Sequence, residues 1–197
     1  MRLFAALELP EEPRMAAAAL IRELRRSGAD VKWVAPENLH VTLKFLGETD
    51  PGRLGEITSV LAAACAAAPA LDLALSGAGA FPGMSRPQVV WLGLAGQADA
   101  LASLAQALDD GLAGLGFAPE TRRFQAHLTL GRARRGRGPS APSRPLAQAL
   151  AGLAAWRGPG FSGRRVSLME SSLTPAGPIY RPRWAWDLGS GPADLAG

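Results

Sequence analysis

Short apolar runs alternate with helix-forming stretches along this chain, and they do so twice in the same order. "RLFAALEL" predicts a strand from Leu3 to Leu9, closed by Pro10. "EEPRMAAAALIRELRRSG" predicts a helix, with acids in its first turn, arginines in its last, and Gly28 after it. That is the charge order a helix dipole favours. "VKWV" and "LHVTLKFLG" predict two strands joined by the connector "APEN". Asp50-Pro51 supplies an N-cap followed by Pro at the first helical position, opening a helix through about Ala67. In "ALDLALSG" the apolar positions alternate as one face of a strand requires.

The second half repeats the sequence of elements. "QVVWLGL" predicts a strand, "ADALASLAQALDDGLAGLG" a helix, and "FQAHLTLGR" another strand. "PLAQALAGLAAW" predicts a helix opened by Ser143 or Pro145, and "RRVSLMESSL" a strand. The spacing also agrees: His40 lies 40 − 3 = 37 residues after Leu3, and His127 lies 127 − 90 = 37 after Val90. Two copies point to an internal duplication with two pseudo-symmetric lobes, since a solenoid needs more. The repeats cover about 1–78 and 88–175 within one domain, 1–188, joined by the Gly- and Pro-rich linker "GAGAFPGMSRPQ". Two segments lack apolar anchors: the basic loop "GRARRGRGPSAPSRP" (Gly131 to Pro145) and a frayed C-terminal tail, 189–197.

Composition changes this picture little. The 197 residues are 48% apolar and 19% charged, as in an ordinary globular protein. The net charge of +4 comes from Arg, because the only lysines are Lys32 and Lys44. Arginine suits bidentate phosphate contacts, but the 23 Gly, 16 Pro and abundant Ala fit GC-rich coding equally well. Charge alone leaves a polyanionic partner open. One cysteine, Cys65 in "VLAAACAAA", excludes an internal disulfide and is expected as a small buried apolar residue. No signal peptide or membrane span is evident, so a cytoplasmic, monomeric protein is expected.

The chemistry gathers in the two histidines, the only ones in the chain, which share the context His-apolar-Thr-Leu: "HVTL" at His40 and "HLTL" at His127. On a strand, His40 and Thr42 share one face, as do His127 and Thr129, with Val41, Leu43, Leu128 and Leu130 behind them. If a pseudo-two-fold relates the halves, two imidazoles and two hydroxyls flank one polar site. Such a site suits phosphodiester chemistry: one imidazole takes a proton and the other gives one, while the hydroxyls donate to the non-bridging oxygens. No further ligand cluster accompanies the histidines, which argues against zinc.

Arg132 closes "HLTLGR". Strict alternation places it opposite His127, unless a bulge at Gly131 turns it toward the cleft to clamp phosphate. Phe45 holds the equivalent place after the first motif, and Lys44, on the His40 face, is a weaker phosphate candidate. Phe45, Trp33 and Tyr180 are candidates for base stacking.

"RLFAALELP", "WVAPENLHVTLKFLGE", "VVWLGL", "HLTLGRAR" and "LMESSLTPAGPIYRP" together resemble the two-histidine (2H) phosphoesterase superfamily. Within it, they resemble the bacterial and archaeal RNA 2′,3′-cyclic phosphodiesterases, also called 2′-5′ RNA ligases. The likeness runs from Arg2 to about Leu188. It implies a bilobal α+β fold, with two antiparallel sheets facing across a central cleft and helices on the outside. It implies hydrolysis of RNA 2′,3′-cyclic phosphate ends to 2′-phosphomonoesters, without metal or cofactor. Small cyclic nucleotides are further candidate substrates. Carried over, His40 is the proton donor and His127 the proton acceptor, with Thr42, Thr129, Arg132 and Phe45 on the substrate. The alternatives are 2′-5′ ligation or another cyclic-phosphate reaction and, from a different class, a non-catalytic RNA-binding module. The basic loop either tracks the RNA backbone or is a solvated insert.

Overall fold

In a computed structural model of the chain, residues 1–84, 87–134, 144–174 and 177–189 are described. The basic loop beyond Arg134 and the tail beyond Gly189 lie outside them, as does Ser143. The first half runs β1 (Arg2–Glu8), α1 (Glu11–Arg25), β2 (Val31–Trp33), β3 (His40–Glu48), α2 (Leu54–Ala67) and β4 (Leu71–Phe81). The second runs β5 (Val89–Gly96), α3 (Ala98–Gly114), β6 (His127–Ala133), α4 (Arg144–Gly152), β7 (Arg157–Gly163), β8 (Arg165–Thr174) and β9 (Gly177–Asp187). Among the described residues no helix is long and apolar enough to cross a membrane.

The expected start signals operate locally. Glu11 and Glu12 open α1, and Arg22 and Arg25 close it. The Asp50 carboxylate accepts from the Gly52 N–H at 2.9 Å, with Pro51 next, but it caps a 3₁₀ turn (Pro51–Arg53) that leads into α2.

The strands form two antiparallel sheets, in the orders β3-β1-β8-β9 and β2-β6-β5-β4-β7. Each sheet contains the first strand and histidine strand of one half. The inner strand beside them comes from the other half: β8 pairs with β1, and β4 pairs with β5. Neither half therefore completes a sheet by itself. α2 lies against β9 and α3, α1 against β7 and α4, and α3 touches β3 and β4. The apolar faces of both sheets join in one core, with Leu3, Leu7, Val41, Leu92 and Leu128 all at or below 1% exposure. Cys65 belongs to this core, and burial pushes its thiol up to about 12.

Three expectations change. β7 and β9 had no counterpart in the sequence pattern, because "RGPGFSG" and "GPIYRPRWAWD" carry Gly and Pro that read as turns. Both are edge strands, where a missing N–H faces no neighbour and Pro is tolerated. The expected linker begins too early, since β4 runs on to Phe81. The matched 37-residue spacing does not mark structurally equivalent residues. Opposite His40 stands Glu8, 40 − 8 = 32 residues earlier, whereas opposite His127 stands Gly93, 127 − 93 = 34 earlier.

Candidate active site

β3 and β6 lie beside one another although they belong to different sheets. Each carries a bulge at the same place. On β3, Lys44 pairs with Ala5 and Thr42 with Ala6, which leaves Leu43 as an extra residue. On β6, Gly131 pairs with Val90 and Thr129 with Trp91, which leaves Leu130 extra. Both leucines are buried in the core, at 5% and 0% exposure.

The extra residue re-phases each strand by one position. Residues directly opposite share a face, and along β1 that face carries Phe4, Ala6 and Glu8, whose partners are Phe45, Thr42 and His40. Along β5 it carries Val89, Trp91 and Gly93, whose partners are Arg132, Thr129 and His127. Arg132 thus stands on the His127 face and Phe45 on the His40 face. Lys44 does not: the bulge turns it inward, and it is 2% exposed with Nζ 2.5 Å from Asp109 Oδ1. Lys44 therefore drops out as a phosphate ligand. Trp33 also leaves the list of base platforms, since it packs on the core beside Gly131.

A cleft of about 780 Å³ opens along these faces and is lined by Thr42, Phe45, His127, Thr129 and Arg132 among others. His40 borders an adjoining recess of about 170 Å³, together with Glu8, Asn38 and Tyr180. The two imidazoles are close enough for the charge of His127 to act on His40, and the Arg132 guanidinium acts on both.

Each ring is held by the same device. His40 Nδ1 is 2.7 Å from the Asn38 carbonyl oxygen, and His127 Nδ1 is 2.7 Å from that of Gln125. In both cases the partner lies two residues upstream. A carbonyl only accepts, so Nδ1–H donates and Nε2 is left for chemistry. At His40 the Thr42 hydroxyl reaches Nε2 at 3.1 Å. Each ring is also met edge-on by an aromatic side chain, His40 by Tyr180 at 5.3 Å and His127 by Phe81 at 5.1 Å. Phe4 lies against His40 at 4.9 Å. Tyr180 is among the residues the sequence singles out, whereas Phe4, Phe81 and the two carbonyls are not. Phe81 lies in the stretch that reads as a linker, and a backbone acceptor leaves no residue-type signal.

Burial, before the Arg132 charge, lowers both imidazoles from the usual 6.5. The neighbouring carbonyls oppose this without cancelling it, and His40 falls to about 4. Both shifts favour the neutral imidazole at neutral pH. Among the described residues, no group of three or more His, Cys, Asp or Glu gathers as a metal site would require.

A family model described as "LigT like Phosphoesterase" matches this chain twice, over residues 7–91 and 92–180. The chain is 36% identical over 180 residues to the RNA 2′,3′-cyclic phosphodiesterase of Methanothermobacter thermautotrophicus, covering 91% of this chain and 95% of that one. It is 35% identical over 182 residues to the protein of the same name from Archaeoglobus fulgidus, covering 92% and 97%. Among solved structures, one from Thermus thermophilus superposes with a TM-score of 0.78 at 27% identity, covering 96% of this chain and 98% of that one. E. coli LigT complexed with 3′-AMP superposes with a TM-score of 0.71 at 27% identity, covering 95% and 97%.

Proposed function

The chain belongs to the LigT-like phosphoesterase family, and from that premise we propose that it hydrolyses 2′,3′-cyclic phosphate ends of RNA to 2′-phosphomonoesters without a metal or cofactor. The observation that carries the reading is the duplicated bulged strand. Each copy sets an imidazole and a hydroxyl on one face of its strand, with Phe45 added on the first and Arg132 on the second.

His127, neutral and with its Nδ1–H donated to the Gln125 carbonyl, takes a proton at Nε2 from water as the water oxygen bonds to phosphorus. His40, as the imidazolium, gives its Nε2 proton to the leaving 3′-oxygen as that P–O bond breaks, and the phosphate stays on the 2′-oxygen. One proton is gained at His127 and one lost at His40, and exchange with solvent restores both. Thr42, Thr129 and Arg132 donate to the non-bridging oxygens, where charge grows in the transition state. Phe45 offers its ring to the terminal base.

His40 must be charged when substrate is bound, yet its burial favours the neutral form. The phosphate monoanion, brought within hydrogen-bonding reach, is the group that favours the imidazolium. Because strand exchange leaves neither repeat with a complete sheet, we read residues 1–188 as one bilobal unit.

The test is turnover in EDTA of an oligonucleotide ending in a 2′,3′-cyclic phosphate, with the 2′-phosphate product identified. Absence of product, or activity retained by both His40→Ala and His127→Ala, sinks the reading. Binding without turnover by the wild type would identify a non-catalytic RNA-binding module. A 2′-5′-linked product from a 5′-hydroxyl partner would identify ligation.

A further inference from the structure

The cleft continues past the histidines to a second wall. The segment between α3 and β6 brings Arg122 and Arg123 to the cleft lining, both exposed. This segment is fastened from behind. Lys44 Nζ donates to the Ala118 carbonyl at 2.6 Å, and the Asp109 carboxylate accepts the Glu120 N–H at 3.1 and 3.2 Å from its two oxygens. Arg53 donates to the Leu115 carbonyl at 2.5 Å and lies 4.6 Å over the Phe117 ring.

The charges on this wall are unequal. The acids that line the cleft, Asp109 and Glu120, both face Lys44, at 2.5 and 3.7 Å. Arg122 and Arg123 form no ion pair among the described residues. Two guanidinium groups without an ion-pair partner among the described residues, on a segment whose backbone is held just upstream, offer an anion subsite in which the arginine side chains alone are left to order at binding.

Resting on the proposed cyclic phosphodiesterase reading, we infer that Arg122 and Arg123 bind the phosphodiester on the 5′ side of the terminal nucleotide. The cyclic phosphate itself belongs with Arg132, whose charge reaches both imidazoles. Arg123 precedes His127 by four residues, a reach of up to about 14 Å in extended chain, and this leaves room for a ribose between two phosphates. A nucleoside 2′,3′-cyclic phosphate lacks the 5′-phosphodiester that every RNA end carries. The subsite therefore makes the enzyme select chain ends over free cyclic nucleotides.

The experiment compares kcat/KM for cytidine 2′,3′-cyclic phosphate with that for the same compound bearing a 5′-phosphate. A preference of roughly 10- to 100-fold for the 5′-phosphorylated form is expected, the size of one or two charge-assisted hydrogen bonds. Rising salt should compress it, and Arg122→Ala/Arg123→Ala should bring the ratio close to one. No preference in the wild type overturns the proposal, as does a preference that survives in the double variant. If neither compound turns over, and the oligonucleotide ending in a 2′,3′-cyclic phosphate does not either, the cyclic phosphodiesterase reading has failed. The subsite is then judged by calorimetric binding of cytidine 2′-phosphate with and without a 5′-phosphate, where the same ratio and the same loss are expected. Equal binding overturns it.

Discussion

Lys44 and Asp109 form an ion pair inside the protein, with Nζ 2.5 Å from Oδ1 and side chains 1% and 9% exposed. The pair joins the first histidine strand to α3, and through the Ala118 carbonyl and the Glu120 N–H it fixes the segment leading into the second. Breaking such a pair leaves one charge buried without its partner. Lys44→Met should therefore destabilise the fold by about 3–5 kcal/mol in urea denaturation. Lys44→Met combined with Asp109→Leu should recover part of that loss, although the Glu120 N–H then loses its acceptor.

Arg132 lowers the pKa of both imidazoles and shares the His127 face of β6. Arg132→Ala should cut kcat/KM roughly 10²- to 10³-fold, the size of a lost transition-state donor. It should also raise both histidine pKa values, which an NMR titration of the imidazole C–H signals can follow. Arg132→Lys keeps the charge but not the fork of donors, so it should hold the pKa values nearer the wild type while recovering only part of the rate.

The pH dependence follows from the same shifts. The proposed mechanism requires one protonated and one neutral imidazole in the free enzyme, so log kcat/KM should fall on both sides of a maximum. His40 titrates at about 4 and His127 below 6.5, which sets that maximum on the acid side of ordinary imidazole. The kcat profile should lie at higher pH, because bound phosphate favours both imidazolium forms. Stability carries the matching sign. The His40 pKa is depressed in the folded state, so its contribution is complete above the unfolded value of 6.5 and is lost as pH falls toward about 4. His40→Asn should flatten the dependence of Tm on pH in that window.

The two histidines should separate by leaving-group rescue. Each alanine variant is expected to lose about 10²- to 10⁴-fold in rate. A cyclic phosphorothiolate with sulfur at the 3′ position leaves without protonation, so it should restore His40→Ala far more than His127→Ala. Rescue of His127→Ala instead would exchange the acid and base assignments.

Much of this site is legible in the sequence because strand alternation is local. "HVTL" and "HLTL" place His and Thr on one face and two apolar residues on the other, whatever the strands pair with. The helix boundaries are similarly local, since caps, dipole charges and Pro act over one turn. The family resemblance carried the two facing sheets, which no local pattern specifies.

Tertiary structure decided the rest. Whether Arg132 shares the His127 face depends on Leu130 finding no partner on β5, and whether Lys44 leaves the His40 face depends on Leu43 finding none on β1. A bulge is a mismatch between two strands, so neither strand alone encodes it. The same reason hid β7 and β9: Pro and Gly count against a strand until its place at a sheet edge is known. The exchange of β4 and β8 between halves likewise exists only in the assembled sheets. The sequence by itself determined that each histidine shares a strand face with its threonine, because alternation is local. Long-range pairing determined which of them meet, and that is where one repeat ends in Phe45 and the other in Arg132.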